Sequence, residues 1–195
     1  MATVADRLLD RSSTIFEAKG FNAVGIDLLL AEAGVAKMSL YKHFKSKEGL
    51  VLAALRRRDQ RFRTTFAALV EARASDPRAR LLAVFDVLAR WFEREDFRGC
   101  IFLNAAAEFP EADSPVRRVV AEHKAWLREY LASLAQAANA PDPPALAAEL
   151  VVLVDGAIAR AHAAGDRNAA GTARRAAEAV VRSAFAAPIP AQNLP

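Results

Sequence analysis

The sequence predicts an all-α fold, and three observations carry that expectation. Alanine and leucine abound, while glycine supplies only 8 of 195 residues, a composition that suits helices. Apolar residues recur in steps of three and four along most of the chain, the period of one helix face. β-branched residues form no alternating runs of the kind a half-buried strand requires. About nine helices are expected. Three fall in an N-terminal domain over 1–55, the rest in a larger helical domain over 56–187, and 188–195 reads as a loose, proline-rich tail.

The first helix is expected over 3–19, with Val4, Leu8, Ile15 and Phe16 on one face and Asp6, Arg7, Asp10 and Arg11 outside it. Lys19-Gly20 gives a cationic last turn and a glycine stop, after which Phe21 packs back from the loop. A second helix, about 26–33, turns Ile26, Leu29 and Leu30 inward; Gly25 stands at its N-cap, a weaker choice than Ser or Thr. Gly34-Val35-Ala36 leads at once into a short helix over 37–43. Two short helices joined by a glycine-led turn form the centre of a helix-turn-helix.

Ser46 caps a long fourth helix, with Glu48 in its dipole-favoured first turn. Leu50, Ala54, Leu55, Phe62, Phe66, Leu69 and Val70 carry it to about Ala74, and Arg56, Arg57, Arg58, Arg61 and Arg63 take the solvent side. Asp76-Pro77 restarts the chain as cap and first helical residue. The remaining helices are expected from Pro77, over 101–109, from Pro115, over 144–164 and over 170–186, separated by glycine, proline and Asn/Asp breaks.

Composition also excludes classes. One cysteine, Cys100, rules out an internal disulfide and fits a reducing compartment. The N-terminus has no apolar core of the kind a signal peptide needs, and no apolar run approaches the ~20 residues of a membrane span. A cytoplasmic protein is expected. The net charge is only +4, but residues 1–65 hold 12 Lys/Arg against 7 Asp/Glu, and residues 34–63 hold 9 against 2. Concentrated beside a helix-turn-helix pattern, that excess reads as a phosphate-facing footprint.

The stretch Gly34–Glu48 holds the chemistry. Its polar members, Lys37, Ser39, Tyr41, Lys42, His43, Lys45 and Lys47, are nearly all donors or cations, while Leu40 and Phe44 are apolar. Lys37 and Ser39 fall in the first turn of the second short helix, the part that reaches base edges. Lys37 suits guanine O6 or N7, Ser39 several bases, and Met38 a thymine methyl. The duller alternative has Tyr41 and His43 merely covering the small core.

The segments Gly25-Ile26-Asp27, Ala31-Glu32-Ala33-Gly34-Val35-Ala36-Lys37 and Ser39-Leu40-Tyr41-Lys42-His43-Phe44-Lys45-Ser46-Lys47-Glu48-Gly49-Leu50 resemble the DNA-binding signature of the tetracycline-repressor (TetR) family. The match spans roughly 5–55. The resemblance implies a homodimeric, all-helical regulator whose C-terminal domain binds a small molecule. It makes Tyr41, Lys42, His43 and Lys47 phosphate contacts, which set register rather than sequence. Many relatives carry Thr or Ser where this chain has Val24-Gly25, so at Gly25 the amide end of the helix is left to meet the phosphate alone. Met38 stands where glycine is frequent.

Downstream, Phe85, Leu88, Trp91, Phe92, Phe102, Phe109, Trp126 and Tyr130, with polar Asn104, Glu108 and His123, form an aromatic-rich set. Such a set is either ordinary core or the lining of an apolar pocket with a few polar groups. No metal or cofactor is expected, since His123 with Glu108, Glu111 and Asp113 does not have the spacing of a known metal site. In the last two helices Leu150, Val154, Ala157, Ile158 and Ala161 form one stripe, and Ala177, Val180 and Ala184 belong to another. Such small residues permit a four-helix dimer contact, the arrangement the resemblance predicts, or packing within one chain.

The expected function is a transcriptional regulator, a repressor released from a palindromic double-stranded DNA operator by a small, largely apolar effector. An effector-independent architectural DNA binder is the alternative. A ligand-binding module or enzyme with a vestigial head is a remote one, because no nucleophile–base pair, phosphate loop or metal spacing supports catalysis.

Overall fold

The computed structural model describes residues 3–186; the expected tail over 188–195 lies outside them. Among the described residues the regular structure is entirely α-helical. In chain order the helices are α1 (Val4–Lys19), α2 (Ile26–Ala33), α3 (Lys37–Phe44), α4 (Lys47–Glu71), α5 (Pro77–Phe92), α6 (Ile101–Glu108), α7 (Pro115–Ala137), α8 (Pro143–Ala164) and α9 (Ala169–Ala184). Each expected helix is present, with ends that match or shift by at most three residues.

The ends follow the local chemistry. Thr3 and Asp6 form a reciprocal capping box on α1, which satisfies two amides that a helix start leaves open. The hydrogen bonds from the Thr3 hydroxyl and amide hold the Asp6 carboxyl below its ordinary value. Asp76 accepts from Ala79 N–H at 2.7 Å and Pro77 follows it at the head of α5. Asp142 does the same for Ala145 at 3.1 Å ahead of Pro143. Gly34 closes α2 at φ +62° in the left-handed region, where a side chain would be strained.

The described chain groups into two compact units that do not follow chain order. One comprises residues up to Ala68 together with Arg94–Trp126; the other comprises Leu69–Glu93 and the residues from Leu127 onward. In the first, α1 packs on α2 and α3 around Leu8, Phe16, Phe21, Val24, Leu29 and Leu40, all at or below 1 % exposure. Phe21 fills that core from the loop as expected, its ring 5.1 Å from Phe16. Val4 and Leu69, expected on inward faces, are exposed instead.

In the second unit, α9 packs against both α8 and α5. Leu150, Val154, Ala157, Ile158, Ala161 and Ala177 are buried there within the single chain, while Val180 and Ala184 are half-buried. The stripe expected to meet a partner is therefore intrachain core, because its apolar groups already face α5 and α9. The outward face of α8 carries Ala148, Val152, Gly156, Ala159 and Ala163, and that of α9 carries Thr172, Ala176, Ala179 and Ser183, all exposed.

Candidate nucleic-acid interface

The turn between α2 and α3 is built by the backbone. Gly34 N–H and Val35 N–H donate back to Ala31 and Leu30 carbonyls at 3.2 and 3.1 Å, and Ser39 N–H donates to Ala36 at 2.9 Å. Leu40 is fully buried and anchors α3 to the core, with Phe44 and Val35 half-buried beside it. The opposite side of α3 is left to solvent: Lys37, Met38, Tyr41, Lys42 and His43 are all exposed, Met38 at 75 %. Ser39 and Lys47 are half-buried at its edge. Tyr41 and His43 thus do not cover the core.

Both helices present uncapped N-termini. Neither Gly25 on α2 nor Ala36 on α3 supplies a side-chain cap, so first-turn amides remain open to an acceptor such as a phosphate oxygen. At the far end of α3, Ser46 Oγ accepts from Gly49 N–H at 3.0 Å to start α4. Gly49 is required by contact: a Cβ there would sit 2.0 Å from the Phe44 carbonyl oxygen.

The basic run divides in two. Arg57 reaches Asp10 at 3.1 Å and Asp6 at 3.5 Å, Arg58 reaches Glu17 at 3.2 Å, and Arg61 reaches Asp10 at 3.4 Å. Arg63 pairs with Asp59 at 2.6 Å. These four arginines are matched by acids of α1 and α4, while Arg56 stays exposed beside them. Among the described residues of this run, Lys37, Lys42, Lys45, Lys47 and Arg56 are in no ion pair, and four of these five cations lie on α3, just past its end and at the start of α4.

The residues read from sequence as a pocket fall into both units. Phe85, Leu88 and Phe92 are core of the second, with Trp91 and Tyr130 half-buried; burial pushes the Tyr130 hydroxyl up to about 12. In the first unit Phe102, His123 and Trp126 come together. The His123 ring stacks on Phe102 at 3.7 Å and meets the edge of Phe62 at 5.0 Å, and Phe62 meets Trp126 at 5.8 Å. The Arg63 guanidinium lies 5.5 Å from the Trp126 ring. His123 Nδ1 is 2.7 Å from Asp59 Oδ1, and burial holds its imidazole below its ordinary value, so it is neutral and donates that proton to the carboxylate.

Asn104 and Glu108 are engaged locally. Asn104 Nδ2 donates to the Arg98 carbonyl at 3.1 Å, and the Glu108 carboxylate accepts from the Phe21 and Asn22 amides. Phe109 meets Phe21 edge-on at 5.9 Å. Sequence reasoning missed Asp59 and Arg63. Their spacing with Phe62 and Phe66 on one face of α4 was the available signal. Among the described residues no group of three His, Cys, Asp or Glu side chains is placed to hold a metal ion, and no helix is long and apolar enough to cross a membrane.

Comparison with known proteins agrees with this geometry. Residues 8–54 match the family described as bacterial regulatory proteins, tetR family, and residues 77–177 match the tetracyclin repressor-like C-terminal domain. A TetR-family transcriptional regulator from Streptomyces coelicolor superposes with a TM-score of 0.86 at 34 % identity, over 94 % of this chain and 96 % of that one. The transcriptional regulator LmrA of Bacillus subtilis is 29 % identical over 134 residues, 67 % of this chain and 71 % of its own. The repressor NemR of Escherichia coli is 26 % identical over 113 residues, 57 % of each chain. With both its head and its C-terminal half matched, the chain belongs to the TetR family of DNA-binding transcriptional regulators and is not an enzyme.

Proposed function

We propose that this regulator is a homodimeric repressor that holds a palindromic operator through α3 and is released by a small, largely apolar effector. The observation that carries it is the row of exposed, unpaired donors on α3, set on a helix whose other face is anchored by buried Leu40. Lys37, Ser39 and Met38 stand in the first turn and read base edges. Tyr41, Lys42, His43, Lys47 and the open amide end at Gly25 hold phosphates and set register.

The dimer would form through the outward stripes of α8 and α9. A Cβ at Gly156 would meet nothing within 4 Å in the chain itself, so the chain's own packing does not require glycine there. The small residue leaves the face open to a close helix approach from a second copy. Two heads about 34 Å apart would then fit successive major grooves.

The effector reading is supported by the aromatic group around His123. Phe62, Phe102 and Trp126 offer flat apolar surface, and a neutral imidazole held by Asp59 offers a single acceptor at Nε2. Release would follow if the effector favours a state whose heads are wrongly spaced. Selection of duplexes from a random pool, followed by gel shift, tests the DNA reading. A half-site repeated in inverted order is expected; a folded protein that enriches nothing at low salt would sink it.

A further inference from the structure

The carboxylate of Glu108 stands in an unfavourable place. It is the last residue of α6, where the helix dipole presents its negative end. It is stabilised instead by the loop after α1. Phe21 N–H lies 3.0 and 2.9 Å from its two oxygens, and Asn22 N–H lies 2.6 Å from Oε2. Asn22 Nδ2 in turn donates to the Glu108 carbonyl at 3.1 Å.

The two successive amides follow Gly20, whose φ of +80° turns the chain out of α1. A Cβ at Gly20 would stand 2.8 Å from Glu108 Oε1. The positive φ therefore favours glycine there, and a side chain would also displace the carboxylate tip. The loop is further fixed by Phe21 and Val24, both fully buried. It ends at Gly25, the uncapped start of α2.

We propose that Glu108 is a positioning residue for DNA binding, through which α6 and the phosphate-facing end of α2 are tied together. The proposal rests on the reading of α2 and α3 as the DNA elements. Its physical content is short reach. Only Ala23 and Val24 separate the anchored amides from Gly25, so a shift of α6 moves the amides that meet the phosphate. Charge-assisted bonds transmit that shift stiffly, and the coupling must run both ways: DNA bound at α2 and α3 must change the order of α6.

Amide hydrogen exchange on the full chain, with and without a duplex selected by the wild type from a random pool, tests this without an effector. In the wild type the duplex should raise protection at Phe21, Asn22 and Ile101–Glu108. In Glu108→Gln, which leaves one acceptor oxygen for two amides, binding should weaken about tenfold on all sequences, as loss of one charge-assisted bond predicts. The duplex should no longer change protection in α6. A Glu108→Gln protein whose α6 still responds like the wild type would overturn the proposal.

Should that variant fail to fold, a second substitution at the same carboxylate keeps the test. Glu108→Ala, which removes the acceptor oxygens altogether, is then read in the same way: a lost α6 response supports the tie, and an unchanged one overturns it. A wild type that selects no duplex removes the DNA reading and this role with it. A wild type that binds while α6 stays indifferent removes only this role.

Discussion

Asp59 of α4 and His123 of α7 are 64 positions apart in the chain and meet through a 2.7 Å hydrogen bond. Arg63 holds the second oxygen of Asp59 at 2.6 Å, so the carboxylate bridges an imidazole and a guanidinium. His123 is only 3 % exposed. Burial disfavours its charged form more strongly than Asp59 favours it, and Lys124 and Arg63 act in the same direction as burial.

Stability should therefore depend on pH through this histidine. Its folded value lies below the unfolded value of about 6.5, so below that pH the unfolded chain binds a proton the folded chain refuses. Its contribution is complete above about 6.5 and declines as pH falls toward the lower folded value. Thermal midpoints measured from pH 7.5 down to 5.5 should fall, and His123→Gln should flatten that slope. An unchanged slope in the variant would place the pH dependence elsewhere.

Phe21→Ala should cost about 3–5 kcal/mol, the range for deleting a buried aromatic ring. The ring is fully buried between Phe16 and Phe109. Denaturant midpoints of the full chain give the measurement. A loss below about 1 kcal/mol would mean that the loop repacks.

Lys37 and Lys47 should respond differently. Lys37→Ala should relax preference at one base pair, at a cost of about 1–3 kcal/mol on the preferred sequence alone. Lys47→Ala should weaken all sequences alike and reduce the salt slope by about one contact. Titrations on selected and scrambled duplexes at several salt concentrations separate the two; equal losses from both variants would contradict the assignment.

Gly49→Ala forces a Cβ against the Phe44 carbonyl oxygen. The start of α4 must move relative to α3, at a cost of about 1–3 kcal/mol for overpacking. DNA affinity should fall with it, since α3 is held between this junction and Leu40.

Val152, at 70 % exposure on α8, and Leu150, fully buried two residues earlier, separate assembly from folding. Val152→Glu should leave the stability of the single chain within about 0.5 kcal/mol yet shift sedimentation toward monomer. Leu150→Ala should lower stability by about 2–5 kcal/mol. A Val152→Glu protein that remains fully dimeric would exclude the outward face of α8.

The sequence by itself determined the helices and the reading head. Helix boundaries were legible because Thr3, Gly34, Ser46, Asp76 and Pro77 act on amides a few residues away, and such short-range chemistry is written in order along the chain. The face of α3 was legible for the same reason: buried Leu40 fixes which side Lys37, Met38 and Tyr41 present. Tertiary structure alone decided which partner each polar group found. The arginines of α4 read as a solvent-side face, and Asp6, Asp10 and Glu17 of α1 turned out to be the partners of Arg57, Arg58 and Arg61. The α8 stripe through Leu150 and Val154 read as a dimer surface until α5 and α9 covered it. The partners of Glu108 and His123 were not legible: one is held by a loop 87 positions away and the other by Asp59. A local pattern sets which face of a helix is apolar or charged; only the packing of distant segments sets what that face meets.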